Sequence, residues 1–147
     1  MIHDKHPVIS FVSPVYKAEK MLKRLVDEIH KVMLLIGTPY EIILVDDRSP
    51  DKSWDVMKQL SREFPVVKSI RLSRNFGQHP AIMAGLAHAK GEWVVVLDCD
   101  LQDQPKEVLK LYAKAQEGFD IVLAKRKNRQ DSFFKKMTSF VFSKIYG

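Results

Sequence analysis

Residues 41–50 read EIILVDDRSP. The run Glu41–Val45 is nearly all apolar and too short for a helix, which predicts a strand buried on both faces, as in a parallel sheet covered by helices. It ends in two acids, Asp46-Asp47. Ser49-Pro50 then supplies a capping residue and a first-turn proline for a helix, with Val56, Met57 and Leu60 as its buried stripe. Upstream, Val8–Val15 (VISFVSPV) reads as a strand. From Ala18 to about Leu35, Met21, Leu22, Leu25, Val26, Ile29, Val32 and Met33 fall on one helical face, and Gly37 and Pro39 end that helix.

Downstream the alternation continues. Val66–Leu72 is a third strand, followed by the loop SRNFGQH and a helix of small residues (PAIMAGLAHA) stopped by Gly91. The small side chains of Ala81–Ala89 predict close packing on the sheet. Trp93–Leu97 (WVVVL) is a fourth strand. Pro105 starts a helix with Val108, Leu109, Leu111 and Tyr112 inward and Gly118 as its stop, Ile121–Ala124 is a fifth strand, and a last helix is expected over Ser132–Tyr146. The order predicts an α/β domain with a mostly parallel sheet and helices on both faces. Ligands in such sheets bind beyond the C-terminal strand ends.

The 147 residues suit one domain, and 46% hydrophobic content is enough for a core. The single cysteine, Cys99, excludes an internal disulfide and a multi-cysteine zinc site. No signal-like run follows MIHDKHP, and no apolar stretch nears the roughly 20 residues that cross a bilayer, so a cytoplasmic chain that does not span a membrane is expected. The net charge of +6 is localised: seven Lys and Arg against one acid in Lys125–Gly147 account for all of it. Such an excess points to an anionic surface.

The strand ends carry the chemistry. Asp98 and Asp100 follow the fourth strand, two residues apart, and in extended chain they share a face. Their mutual repulsion is relieved by a hard divalent cation, Mg2+ or Mn2+, which takes one or two carboxylates and completes its shell with water and phosphate oxygens. The plainer alternative is that both acids cap the following turn. Gln102 offers a neutral oxygen to the same ion, whereas Cys99 should face away and pack. Asp46 and Asp47 suit a base N–H or ribose hydroxyls, and equally suit capping of the next helix. Tyr16 suits stacking on a nucleobase or a place in the rim. His79 and His88 lack an acidic partner at ligand spacing and are read as structural.

Four stretches, SFVSPVYKAE, EIILVDDRSPDKS, IRLSRNFGQHPAIMAGLAHAKGEWVVVLDCDLQDQP and GFDIVLAKRKNR, together resemble glycosyltransferase family 2, of the GT-A (Rossmann-like) fold. Within it they are most similar to the polyprenyl-phosphate glycosyltransferases, which include dolichol-phosphate and undecaprenyl-phosphate sugar transferases. The resemblance implies that Pro14, Tyr16, Asp46 and Asp47 line a nucleotide pocket. It implies that Asp98, Asp100 and Gln102 form the site for metal and diphosphate, and that Arg126 lies near the phosphates. It further implies inverting transfer from a UDP- or GDP-sugar to a polyprenyl phosphate, in cell-envelope glycan synthesis or lipopolysaccharide modification. Residues 1–130 would be the nucleotide-sugar-binding part of a catalytic domain that is truncated here; an inactive fragment is the alternative. Lys17-Ala18 replace the family's common Asn-Glu, leaving Glu19 unassigned, Arg48 replaces the glycine of Asp-Asp-Gly-Ser, and DLQDQP replaces D-L-Q-D-P-P.

In the expected helix over residues 131–147, Phe133, Met137, Phe140, Val141 and Ile145 share a face beside Lys135, Lys136 and Lys144, the pattern of an interfacial helix. A peripheral site on the cytoplasmic membrane face follows from that reading, and an ordinary amphipathic helix is the alternative. A receiver-type phosphoacceptor domain also carries an acid pair, a later Asp and a Lys at its strand ends. Here, however, a whole strand precedes ILVDD. A nucleic-acid module is disfavoured because the tail lacks base-reading polar residues. Neither G-x-G-x-x-G nor G-x-x-x-x-G-K-[ST] is present, which argues against dinucleotide and P-loop sites.

Overall fold

The computed structural model describes residues 6–102, 104–123 and 141–144. The elements run β1 (Ile9–Val15), α1 (Leu22–Ile36), β2 (Tyr40–Asp46), α2 (Ser53–Glu63), β3 (Val67–Arg71), α3 (Gln78–His88), β4 (Trp93–Val96), a 3-10 turn (Pro105–Glu107), α4 (Val108–Ala115), β5 (Ile121–Leu123) and β6 (Val141–Lys144). They build one six-stranded sheet of order β3-β2-β1-β4-β6-β5. β1 pairs in parallel with β2 and β4, and β2 in parallel with β3. β6 lies antiparallel between β4 and β5.

Both sheet faces are covered, as the near-continuous apolar strands require. On one face Ile9, Phe11, Val15, Ile42 and Leu44 pack with Leu22, Leu25 and Ile29 of α1, Met57 and Leu60 of α2, and Val108 and Leu111 of α4. On the other, Val12, Ile43, Val45 and Val94 pack with Ala81 of α3. The small residues of α3 serve the close approach expected of them. A Cβ placed on Gly85 would run into the Val12 side chain and lie 3.2 Å from Val45 Cγ2.

A buried clasp ties the N-terminal strand ends together. Glu41, at the start of β2, accepts hydrogen bonds from Ser10 Oγ (2.6 Å) and the Lys90 backbone N–H (2.7 Å), and it pairs with the Lys68 ammonium. Ser10 Oγ in turn accepts from the Gly91 N–H at 2.8 Å. Burial alone would raise the Glu41 carboxyl, but the bonds from Lys68, Ser10 and Lys90 outweigh it and hold the group below its ordinary range. Gly91 is obligatory for a steric reason, since a Cβ there would meet Ser10 N and Oγ, each at 2.7 Å.

Two expectations are corrected. Ser49-Pro50 does not open α2, which begins at Ser53 after Asp51 Oδ1 accepts the Ser53 N–H at 3.0 Å. Ser49 and Ser53 instead take the Lys17 and Ala18 N–H groups on their hydroxyls, at 3.0 and 2.9 Å, and so fix the turn after β1. Glu19 joins this turn by accepting the Lys52 N–H at 3.2 Å. The helix expected over Ser132–Tyr146 is also wrong at Val141–Lys144, which form β6 and fill the β4 edge. Helical periodicity is blind to an unpaired strand edge elsewhere in the chain, and pairing overrides local pattern. The remainder of that expected helix lies outside the described residues.

Candidate functional site

The strand order places the site. From β1 the chain steps outward through β2 to β3, then returns to the other side of β1 with β4. This reversal leaves a crevice at the C-terminal ends of β1 and β4, where open α/β sheets bind ligands. A hollow of about 460 Å³ lies there, lined by Pro14, Val15 and Tyr16 after β1, Asp47 after β2, Asn75, Gly77 and Gln78 before α3, and Asp98, Cys99 and Asp100 after β4.

The backbone at these strand ends is turned sharply. Lys17, Arg48 and Leu101 all adopt positive φ, at 53°, 60° and 60°. Each directly follows a residue that lines the crevice: Tyr16, Asp47 and Asp100. Left-handed backbone costs a non-glycine residue free energy and is tolerated where surrounding bonds over-determine it. Two of these positions, Lys17 and Arg48, coincide with the departures from the family pattern, which commonly has Asn and Gly there. Both of those residue types accept the left-handed region readily.

The structure brings together Pro14, Tyr16, Asp47, Asp98 and Asp100. Tyr16 is half-exposed at the rim, with the Lys17 ammonium 5.4 Å from its ring centroid. Asp47 is buried, and both its carboxylate oxygens are engaged: Oδ1 accepts the Phe76 N–H at 2.8 Å and Oδ2 the Gly77 N–H at 3.0 Å. It therefore holds the loop that closes one side of the hollow. Asp98 Oδ1 accepts the Gln78 amide N–H at 2.9 Å. Asp100 Oδ1 accepts the Gln102 backbone N–H at 3.1 Å, so the capping alternative is realised while Asp100 still lines the hollow.

Other candidates lie apart. Asp46 is fully buried and does not line the hollow. Its Oδ1 accepts the Ser49 N–H at 3.0 Å and its Oδ2 lies 3.2 Å from Arg71 Nε, so it braces the turn after β2. Gln102 is exposed and is not among the lining residues. Arg126 lies outside the described residues. Cys99 packs into the larger core, as expected, but also edges onto the hollow. Burial, then the Asp100 and Asp98 carboxylates, push its thiol up to about 11, which leaves it protonated and unreactive near neutrality.

Asn75, Gly77 and Gln78 were not singled out by residue chemistry, since none is charged. The usable signal was position: they lie in the SRNFGQH loop, directly after a strand at the ligand edge. Among the described residues no three His, Cys, Asp or Glu gather to hold an ion. Two carboxylates opening on one hollow nevertheless fit Mg2+ or Mn2+, which need few protein ligands when phosphate supplies the remaining oxygens. No helix among the described residues is long and apolar enough to cross a membrane.

The fold has solved counterparts. A mannosyltransferase from Pyrobaculum calidifontis, in complex with GDP-Man and Mn2+, superposes with a TM-score of 0.72 at 18% identity, over 97% of this chain and 46% of that one. TarS 1-349 from S. aureus gives 0.64 at 22% identity, over 92% of this chain and 46% of that one. Its complex with UDP-GlcNAc gives 0.64 at 25%, over 87% and 38%. The chain thus spans less than half the length of these proteins. Residues 10–146 match the model for Glycosyl transferase family 2. With nearly the whole chain matched and the acids of two strand ends gathered at the switch point of an α/β sheet, the chain belongs to glycosyl transferase family 2.

Proposed function

We propose that this chain forms the donor-binding part of a glycosyltransferase that moves a sugar from a UDP- or GDP-sugar to a polyprenyl phosphate. The observation that carries the proposal is the single hollow shared by Tyr16, Asp47, Asp98 and Asp100. Tyr16 and Pro14 offer a flat apolar wall to a nucleobase. Asp47 keeps the opposite wall in place. Asp98 and Asp100 would hold Mg2+ or Mn2+ against the donor diphosphate, with Gln102 and Arg126 as further candidates at the phosphates. When bound, the cation neutralises charge that develops on the departing nucleoside diphosphate.

Inverting displacement at the anomeric carbon then requires an acceptor oxygen on the opposite face of the sugar. A polyprenyl phosphate is largely ionised at neutral pH, its second pKa being about 6, and needs no strong general base. A neutral hydroxyl would need one, and among the described residues that line the hollow none is a histidine or a glutamate. The basic stretch Lys125–Lys136 suits an anionic leaflet on the cytoplasmic side, where each basic residue near the surface contributes roughly 1 kcal/mol. Residues 1–130 would serve the donor and residues 131–147 the membrane.

Titration calorimetry with UDP and GDP, each with and without Mn2+, tests the donor site. Wild-type chain should bind one nucleotide only with metal, and Asp100→Asn should lose that binding without a change in melting temperature. Equal metal-linked binding by Asp100→Asn would refute the assignment. Sugar transfer from the preferred donor to undecaprenyl phosphate in vesicles, compared with a hydroxyl acceptor, tests the acceptor.

A further inference from the structure

Asp98 does not stand alone at the crevice. Its Oδ1 accepts the side-chain amide of Gln78, the first residue of α3, at 2.9 Å. Only the NH2 end of an amide can face a carboxylate oxygen favourably, so the orientation of the Gln78 amide is fixed by chemistry. What brings Gln78 there is a chain of ties. Asp47 takes the N–H groups of Phe76 and Gly77 on its two oxygens. Its own backbone N–H donates to Val15 O at 2.9 Å, locking it to β1. Gly77 has φ 103°, a conformation only glycine adopts without strain, while a Cβ there would meet only Pro80 Cδ, at an ordinary contact distance of 3.9 Å. Glycine is therefore needed there to turn the chain into α3, not to avoid a clash. The outcome is a loop anchored on β2 whose last side chain reaches the end of β4.

The Gln78 side chain is exposed, and a solvent-screened hydrogen bond to a carboxylate adds little to folding stability. Its consequence falls on Asp98, whose rotation it limits. A carboxylate that ligates a cation is usually held by such an outer partner, and loss of that partner weakens metal binding by roughly 10–100-fold. We propose that Gln78 is a positioning residue for Asp98, holding its carboxylate in the orientation that receives a divalent cation, with Asp47 as the anchor that sets Gln78 in place. The proposal rests on the metal-dependent donor site described above.

Mn2+ binding, read from the electron paramagnetic resonance signal of the free ion with UDP or GDP present, tests it without reference to turnover. Gln78→Leu should raise the Mn2+ Kd about 10–100-fold while leaving the melting temperature within error of wild type. Gln78→Asn, one methylene too short to keep the contact, should weaken binding in the same direction, and it carries the comparison if the leucine variant melts early. Unchanged Kd in both variants, with Asp98→Asn still abolishing binding, would overturn the role of Gln78 and leave the donor site intact. Absence of nucleotide-linked Mn2+ binding in the wild type would overturn both.

Discussion

Glu41→Ala removes the acceptor that joins four segments at the N-terminal edge of the sheet. Three donors lose their partner: Ser10 Oγ, the Lys90 backbone N–H and the Lys68 ammonium. The first two are buried or partly buried, and each unsatisfied group costs about 1–3 kcal/mol. Lys68 has a half-exposed side chain and returns to water, so its pairing adds at most about 1 kcal/mol. The expected loss is roughly 3–4 kcal/mol, a drop on the order of 10 °C in Tm for a domain this size. Glu41→Gln keeps one acceptor oxygen but turns its NH2 group toward a cation or a donor, and should lose about 1–2 kcal/mol. The folded-state carboxyl is depressed, so the stability it contributes is present above the unfolded value of 4.5 and fades as pH falls through the lower folded value. Urea unfolding of wild type and both variants from pH 7 to pH 3 measures this. The gap between wild type and Glu41→Gln should narrow below about pH 4.5. A Glu41→Ala loss under 1 kcal/mol at pH 7, or a gap that widens in acid, would refute the clasp.

Gly85→Ala should destabilise by about 1–2 kcal/mol in chemical denaturation, because overpacking against Val12 and Val45 exceeds the helix-propensity gain of alanine; a more stable variant would mean that α3 sits farther from the sheet. Arg48→Gly should stabilise by about 0.5–1 kcal/mol by relieving a φ of 60°, whereas Arg48→Ala keeps the strain and should not; equal melting of the two would dismiss the strain.

The elements most legible in the sequence were those whose residues satisfy one rule at a time. The apolar runs at Ile42–Val45 and Trp93–Val96 and the α1 stripe gave strands and helix within a few residues of their observed ends. Errors arose where a side chain had a choice of partners. Ser49 carries a hydroxyl suited to a helix start, yet that hydroxyl serves the Lys17 N–H across from it. Asp46 and Asp47 looked equivalent, but successive residues at a strand end point to opposite faces, which sent Asp46 inward to Arg71 and Asp47 to the crevice loop.

By itself, the sequence determined the alternation of strands and helices, the placing of acids at strand ends, and the family. These follow from periodicity and local composition, which are written into neighbouring residues. Only the tertiary structure decided which strand ends meet. The β3-β2-β1-β4 order sets β1 beside β4, and so puts Tyr16, Asp47 and Asp98 around one hollow although they are spread over 80 residues. It also drew Val141–Lys144 into the sheet and Gln78 onto Asp98. Strand pairing and side-chain hydrogen bonds between distant segments depend on which partners the fold leaves unsatisfied, and no local stretch of chain carries that information.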